Sequence, residues 1–228
     1  MHFTWFHLSS VLEKYPDHVL TAGFCTLLLA VLCVLAKAVA GTPEQALIPA
    51  PKISLRNFFE VIVESLTGFV DSVMSHDGQV YLPVVATMFI YIFINNVFGL
   101  FPGFSPATDN LNTTLSIGLF SFVLYNIEGL RAHGIAYVKH FLGPLIWLAP
   151  LMLPIELISQ LVRPLSLGLR LFGNMTGDHT VLSIFLDLVP LGIPIIFYAL
   201  GLFVCFVQAF VFSLLSMVYL SMATAHDH

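Results

Sequence analysis

Long uncharged apolar runs divide the chain into segments that can cross a membrane. A crossing takes about 20 apolar residues, and the sequence predicts three spans in its first half, over residues 18–37, 80–102 and 110–130. Two longer apolar stretches follow, over residues 141–186 and 190–223. Helices of that length exceed a hydrocarbon core of about 30 Å. We therefore expect the chain to end in two long, strongly tilted helices.

The segment over residues 54–76 has a different pattern. Its charged residues recur on one helical face and apolar residues fill the other, which is typical of an amphipathic helix lying in the membrane plane. A helix packed on neighbouring spans explains the pattern equally well. The charges on this face are Arg56, Glu60, Glu64 and Asp71. Together the segments predict an all-α integral membrane protein, with about five transmembrane helices, one interfacial helix and a single membrane domain over residues 1–228.

Composition supports a lipid environment and excludes several classes of protein. Apolar residues make up 58% of the chain and charged residues 9%, whereas soluble domains carry about 25% charged residues. This excludes an ordinary soluble domain and a disordered chain, and a net charge of −5 provides no basic face for nucleic acid. The three cysteines lie inside apolar runs, so we expect neither disulfides nor a metal site, and no cofactor.

Basic residues near the ends of the spans predict the orientation. They follow the first and third spans, whereas the loop between the second and third spans has none: Lys37, Lys52, Arg56, Arg131 and Lys139. Because Lys and Arg in short loops mark the cytoplasmic side, we expect residues 1–17 outside and the C-terminus in the cytoplasm.

Polar residues inside the last two apolar segments are the most informative. A charge at mid-bilayer costs about 2.5–3.5 kcal/mol on insertion scales and therefore indicates function. Glu156, Arg163 and Arg170 are spaced by seven, which returns a helix to nearly the same face, and Asn174 continues this stripe. A second pair spaced by seven lies beside it: Ser159 and Ser166. An ion pair between Glu156 and Arg163, or an Arg163 that reaches the interface, explains two of these charges without a function.

Arg170 is harder to explain structurally. No acid lies three or four positions away on the same helix, so its partner must come from another helix or another subunit. The guanidinium cannot be deprotonated in proteins, and it repels cations while it stabilises a carboxylate beside it. An acid brought to Arg170 favours the carboxylate, whereas the same acid in lipid favours the protonated form. The sequence therefore predicts a proton-transfer station.

Several stretches resemble subunit a of F-type ATP synthases. Residues 154–159 and 163–175 resemble the signature of that family, and residues 207–212 and 217–223 are similar to its last helix. Residues 106–116 resemble its external loop and the following span. With the layout of the spans, the resemblance covers most of the chain after about residue 50.

The resemblance implies a non-catalytic stator subunit that carries protons through two half-channels to and from the carboxylates of a rotating c ring. It implies that Arg170 lies between the half-channels, with Asn174 and Gln208 close to it. The implied outer half-channel contains Asn96, Asp109, Asp178, His179 and Asp187. The implied cytoplasmic half-channel contains Glu156, Ser159 and Ser166. The implied partners are the c ring, the b-subunit peripheral stalk, indirectly the catalytic head, and the bilayer of a bacterial inner membrane.

The chain departs from the family pattern at the outer half-channel. Some bacterial members have Gly-Glu where this chain has Asp178 and His179, a His where it has Gly201, and an Asp where it has Gly99. Adjacent helical residues point about 100° apart, so Asp178 and His179 cannot face one narrow path equally. His179 suits a proton relay, or it is a hydrogen-bonded histidine at an interface. Gly201 leaves room for Asp178 or for water.

Two alternatives belong to other functional classes. The first is an ion-coupled secondary transporter in which Arg170 binds an anionic substrate. The chain has no visible internal repeats, which are common in such transporters. The second is a purely structural membrane scaffold, which does not explain an unpaired arginine in the membrane.

Overall fold

A computed structural model describes residues 15–40, 54–74, 76–101, 103–134, 137, 149–188 and 192–224, apart from the side chains at positions 76, 77, 149, 187 and 193. This part of the chain is helical and contains no strand. The helices are α1 Asp17–Ala40, α2 Leu55–Met74, α3 Leu82–Phe98, α4 Leu111–His133, α5 Ala149–Leu188 and α6 Ile193–Thr224. Short 3-10 turns at His76–Tyr81 and Ala107–Asp109 precede α3 and α4.

The all-α membrane fold predicted from the sequence is confirmed. Four described segments are long and apolar enough to cross a membrane: Asp17–Ala40, Gly78–Phe98, Leu111–His133 and Pro194–Thr224. Helix α5 has 40 residues and is about 60 Å long, but charged residues interrupt its apolar character. Of the predicted segments, residues 1–14, 75, 102, 141–148, 190 and 191 lie outside the described chain.

The second predicted span, 80–102, ends earlier than expected. Helix α3 ends at Phe98, and Gly99 follows in a turn whose backbone N–H donates to the Asn96 carbonyl oxygen at 3.1 Å. A Cβ added at Gly99 would lie 2.7 Å from the Pro106 ring. The turn therefore needs a glycine because the chain folds back closely on itself at this point.

The long helices run up and down through the molecule, so it has two ends. At the first end, the Thr21 hydroxyl near the start of α1 donates to the Ser105 carbonyl oxygen at 2.9 Å. The Ala107–Asp109 turn, the end of α3 and the start of α4 lie there as well, and we name it the Asp109 end. The opposite end contains the last turn of α1, and we name it the Lys37 end.

Helices α4 and α5 approach each other through glycines. A Cβ added at Gly118 would lie 2.6 Å from the Pro164 carbonyl oxygen, and one at Gly168 would lie 3.1 Å from the Thr114 carbonyl oxygen. Neither position has room for a side chain. Small residues of this kind let the backbones of membrane helices pack closely, where lipid provides little hydrophobic driving force between helices.

The main apolar core lies between α3, α5 and α6. Its buried members include Ile92, Leu171, Cys205 and Phe212. Cys25 is also buried, whereas Cys33 is exposed, and all three cysteines are free thiols. The core therefore holds α5, which carries most of the predicted site residues, against α6.

The amphipathic helix α2 packs partly on neighbouring helices, and its position in the membrane plane stays a prediction. Val70 is buried in a cluster with Val85 of α3 and Met217 of α6, so this part of α2 packs on neighbouring helices. Near the start of the helix, Phe58 is 60% exposed and thus faces the surroundings of the molecule. An ion pair joins Arg56 to Glu60 at 2.6 Å.

Candidate functional site

Arg170 lies near the middle of α5 and is exposed. Large apolar side chains near it along α5 are exposed as well, with Leu165 and Leu169 at 45% and 46%. Among the described residues, no hydrogen bond or ion pair involves the Arg170 guanidinium. Of the two sources considered for its partner, another helix and another subunit, no acid on another described helix pairs with Arg170. A permanent charge without a partner in a membrane protein is costly, so the described part of the chain leaves Arg170 open to a partner.

One turn after Arg170, a hydrogen bond joins α5 to α6. The Asn174 side-chain amide Nδ2 donates to Gln208 Oε1 at 2.6 Å, and Gln208 is 4% exposed. The bond satisfies a buried amide oxygen, which would be costly to leave unpaired. It also fixes the position of Asn174 relative to α6. The structure therefore joins Asn174 and Gln208, the two residues that the family resemblance implied to lie close to Arg170, to each other.

The exposed face around Arg170 is open. We name it the Arg170 face, and it consists of Ser166, Arg170, Gly173, Asn174 and Gly177, all of which are exposed. A Cβ added at Gly173 or Gly177 would have no heavy atom within 4 Å. Packing within the chain therefore does not require glycine at either position, although glycine inside a helix costs about 1 kcal/mol relative to alanine.

Several of the predicted outer residues lie at the Asp109 end. Asn96 is 1% exposed, and its Oδ1 accepts a hydrogen bond from the Thr108 hydroxyl at 2.7 Å. The Thr176 hydroxyl donates to Asp109 Oδ1, which joins α5 to the turn before α4. Among the predicted outer residues, Asn96 Nδ2 and Asp178 Oδ2 are buried and have no hydrogen-bond partner in the described chain. Unsatisfied buried polar atoms of this kind are where bound water is expected.

Gly201 on α6 faces Asp178 on α5. A Cβ added at Gly201 would lie 4.0 Å from Asp178 Oδ2 and 2.7 Å from Leu100 Cδ2. The close contact at Gly201 is therefore with the Leu100 side chain, and whether Gly201 leaves room for Asp178 or for water stays a prediction. His179 is half-buried on the adjacent position. The side chain of Asp187 lies outside the described part of the chain.

At the Lys37 end, a cavity of about 250 Å³ lies between α4, α5 and α6. Glu156 Oε1 accepts a hydrogen bond from Gln160 Nε2 at 3.2 Å. Gln160 Oε1 accepts one from the Tyr125 hydroxyl at 2.8 Å. The cavity is lined by Tyr125, Tyr137, Glu156, Gln160, Arg163, Tyr219, Met222 and Ala223. Burial raises the pKa of the Tyr137 phenol above its usual value, so this hydroxyl stays protonated at neutral pH.

The ion pair considered between Glu156 and Arg163 does not form in the described structure. The Arg163 guanidinium lies instead 5.2 Å from the centre of the Tyr219 ring, where the ring face attracts the cation. Ser159 and Ser166 are exposed and do not line the cavity. Their assignment to a half-channel stays a prediction.

The polar stripe predicted on α5 changes its surroundings along the helix. Glu156 and Arg163 point into the cavity, whereas Arg170 and Asn174 are exposed. A straight α-helix drifts about 20° for every seven residues, so residues spaced by seven do not stay on one line. Among the described residues, no three His, Cys, Asp or Glu side chains lie together as a metal site would require.

Comparison with known sequences places the chain in a family. A family model described as ATP synthase A chain matches residues 22–221. The chain belongs to the ATP synthase A chain family. It is 51% identical over 229 residues to ATP synthase subunit a of Bdellovibrio bacteriovorus, and the match covers 100% of both chains.

Further members of the ATP synthase A chain family are also similar. ATP synthase subunit a 2 of Syntrophotalea carbinolica is 46% identical over 82% of this chain and 79% of the relative. ATP synthase subunit a of Geobacter sulfurreducens is 41% identical over 93% of both chains. These names confirm the resemblance derived from the sequence, and none of the three describes a secondary transporter.

Some polar residues of the chain were not predicted as site residues. Gln160, Tyr125 and Tyr219 line the cavity beside Glu156, and Thr108 and Thr176 contact predicted residues at the Asp109 end. Gln160 did carry a signal, because it is a polar residue four positions after Glu156 in an apolar run. The residues that contact the site from other helices, such as Tyr125 and Tyr219, carried no such signal in the sequence.

Proposed function

We propose that the chain is the stator subunit a of a rotary F-type ATP synthase, a non-catalytic subunit that carries protons to and from the carboxylates of a c ring. The observation that carries this proposal is the exposed Arg170, which has no hydrogen bond or ion pair among the described residues. Each passing carboxylate is stabilised in its ionised form beside the guanidinium. The same fixed charge opposes the direct passage of protons along α5.

The distribution of polar groups supports two separate half-channels. Glu156 and its cavity lie toward the Lys37 end, and Asp178, Asp109 and Asn96 lie toward the other end. Along α5, Arg170 is about 21 Å from Glu156 and about 12 Å from Asp178 at the standard helical rise. We assign the outer half-channel to Asn96, Asp109, Asp178, His179 and Asp187, and the cytoplasmic one to Glu156, Ser159 and Ser166.

The surface around Arg170 supports contact with a neighbouring helix. Gly173 and Gly177 leave its centre open, as described above. Large apolar side chains near it along α5, Leu165 and Leu169, are 45% and 46% exposed. A rotating ring requires a smooth apolar surface with one fixed charge, and small residues allow close approach of helices in a membrane.

Basic residues support the orientation with the Lys37 end in the cytoplasm. Lys37 lies in the last turn of α1 and Arg131 in the last turn of α4. Lys37 also lines one groove with Arg56 of α2. The described turns at the Asp109 end contain no Lys or Arg. From the distribution of positive charge, we assign the N-terminus to the outside and the C-terminus to the cytoplasm. The membrane in this proposal is the inner membrane of a bacterium.

The partners follow from this role. The c ring contacts the Arg170 face, the b-subunit stalk holds the chain against rotation, and the catalytic head is coupled to it indirectly. The surrounding surface contacts lipid. A secondary transporter would remain intact when purified alone in detergent, whereas subunit a is expected to purify with the ring and the stalk.

The test replaces Arg170 and measures ATP-driven proton pumping in inverted membrane vesicles. Arg170→Ala is expected to abolish acidification of the vesicles while the complex still assembles. Without the fixed cation, protons pass directly between the two half-channels and dissipate the gradient. Each proton that crosses 100 mV in this way releases about 2.3 kcal/mol.

Arg131→Ala is the matched control for this test. The Arg131 side chain is 71% exposed and pairs with Glu128 at 2.6 Å, far along the chain from Arg170. This control is expected to pump normally. Normal pumping by Arg170→Ala, at an equal amount of assembled complex, would contradict the proposal.

A further inference from the structure

In the cavity at the Lys37 end, two hydrogen bonds connect Tyr125 to Gln160 and Gln160 to Glu156, and both donate in the direction of Glu156. The Tyr125 hydroxyl donates to the Gln160 amide oxygen at 2.8 Å, and the Gln160 amide nitrogen donates to Glu156 Oε1 at 3.2 Å. Each donor meets an acceptor, so both ends of the Gln160 amide are satisfied. An ionised carboxylate only accepts hydrogen bonds, and the donor end of the amide points at Glu156.

Because Tyr125 and Gln160 are buried, few other hydrogen-bond partners are available to them. Tyr125 and Gln160 are 2% and 8% exposed, and a buried amide without partners is costly. Gln160 can satisfy its oxygen through Tyr125 on α4 and its nitrogen through Glu156 one turn earlier on α5. The bond to α4 thus restrains the Gln160 side chain, and Gln160 restrains Glu156.

Arg163 completes the arrangement because it does not pair with Glu156. Its guanidinium lies over the Tyr219 ring at 5.2 Å, and no ion pair to Glu156 forms in the described chain. An ion pair would fix the Glu156 carboxylate on the Arg163 guanidinium. In the described chain, the neutral Gln160 amide donates a hydrogen bond to Glu156 instead.

We propose that Gln160, anchored by Tyr125, is a positioning residue that holds the Glu156 carboxylate toward the cavity for proton transfer. The inference rests on the proposed function, in which Glu156 belongs to the cytoplasmic half-channel. Gln160 itself neither gains nor loses a proton in this role. It restricts the Glu156 side chain to the rotamer that faces the cavity.

The test measures passive proton conductance through the assembled complex. Inverted vesicles from which the catalytic head has been removed are energised with a potassium diffusion potential, and proton uptake is normalised to the amount of assembled complex. Gln160→Leu and Tyr125→Phe are each expected to lower the conductance roughly 2- to 12-fold, the loss that corresponds to one net hydrogen bond. Tyr125→Phe removes a single hydroxyl, so it tests the inference even where Gln160→Leu assembles poorly.

Ser121→Ala is the matched control. It removes an equally buried hydrogen bond, from the Ser121 hydroxyl to the Ser216 hydroxyl at 2.8 Å, between α4 and α6 outside the cavity. Its conductance is expected to equal that of the unchanged chain. If Gln160→Leu and Tyr125→Phe conduct as Ser121→Ala does, the inference is overturned.

A double-variant cycle separates positioning from a general structural effect. With Glu156→Gln already present, Gln160→Leu is expected to cause no further loss, because the residue acts through Glu156. Losses that multiply in the double variant would overturn the inference. Retained ATP-driven pumping by Arg170→Ala would instead overturn the proposed function. Loss of pumping there, with unaffected Gln160 and Tyr125 variants, would remove only the positioning role.

Discussion

Gly118 on α4 and Gly173 on α5 have opposite surroundings, and this difference provides a direct test of the packing of α4 on α5. Gly118 lies in the contact between α4 and α5, where an added Cβ would be 2.6 Å from the Pro164 carbonyl oxygen. Gly173 lies on the Arg170 face, where an added Cβ would meet nothing within 4 Å. Gly118→Ala and Gly173→Ala therefore add the same methyl group to two helix interiors with opposite surroundings.

The magnitude follows from two effects. Alanine is favoured over glycine inside a helix by about 1 kcal/mol, and this gain is shared by both variants. Gly118→Ala also forces the two helices apart, and overpacking of this kind costs about 1–3 kcal/mol. The shared gain cancels in the difference, so Gly118→Ala is expected to be less stable than Gly173→Ala by about 1–3 kcal/mol.

The assay is thermal unfolding of the full chain in detergent, followed by the loss of the folded peak in size-exclusion chromatography. Gly173→Ala is expected to unfold at or above the midpoint of the unchanged chain, and Gly118→Ala below it. Equal midpoints for the two variants would refute the close approach of α4 and α5. A lower midpoint for Gly173→Ala would show that its face is already packed within the chain.

Two hydrogen bonds provide the remaining predictions. Asn110→Ala removes the side-chain cap that accepts from the Asn112 backbone N–H at 3.0 Å, and we expect the free energy of unfolding to fall by about 1 kcal/mol; an unchanged thermal midpoint would count against the cap. Gln208→Leu removes the acceptor of the Asn174 amide, and we expect ATP-driven pumping to fall about fivefold, as for one net hydrogen bond. Pumping at the level of the unchanged chain would show that Asn174 does not need this partner.

The helices were predictable because charge is so scarce in this chain. The predicted third span, 110–130, corresponds to Leu111–His133, and the last segment, 190–223, corresponds to Ile193–Thr224. The second span ended four residues early because the chain folds back at Gly99, against Pro106. That close contact joins positions that no local apolar pattern relates.

The candidate site was only partly predictable for a similar reason. Arg170 and Glu156 stand out because a charged residue within a long apolar run is rare, and such a residue can be identified from the sequence alone. The Tyr125 contact to Gln160 joins positions 35 residues apart and depends on the close packing of α4 on α5. The different surroundings of Glu156 and Arg170 depend on where α4 and α6 cover α5. Helical spacing cannot show which face a neighbouring helix covers.

The most direct test of the account is the distance from the Arg170 guanidinium to the nearest carboxylate in an electron cryomicroscopy structure of the assembled membrane sector. The account predicts that a carboxylate of the neighbouring ring lies beside Arg170, within about 4 Å of the guanidinium or one water molecule away. It is contradicted if that side chain binds an acid of its own chain or lipid headgroups, and no ring carboxylate passes it.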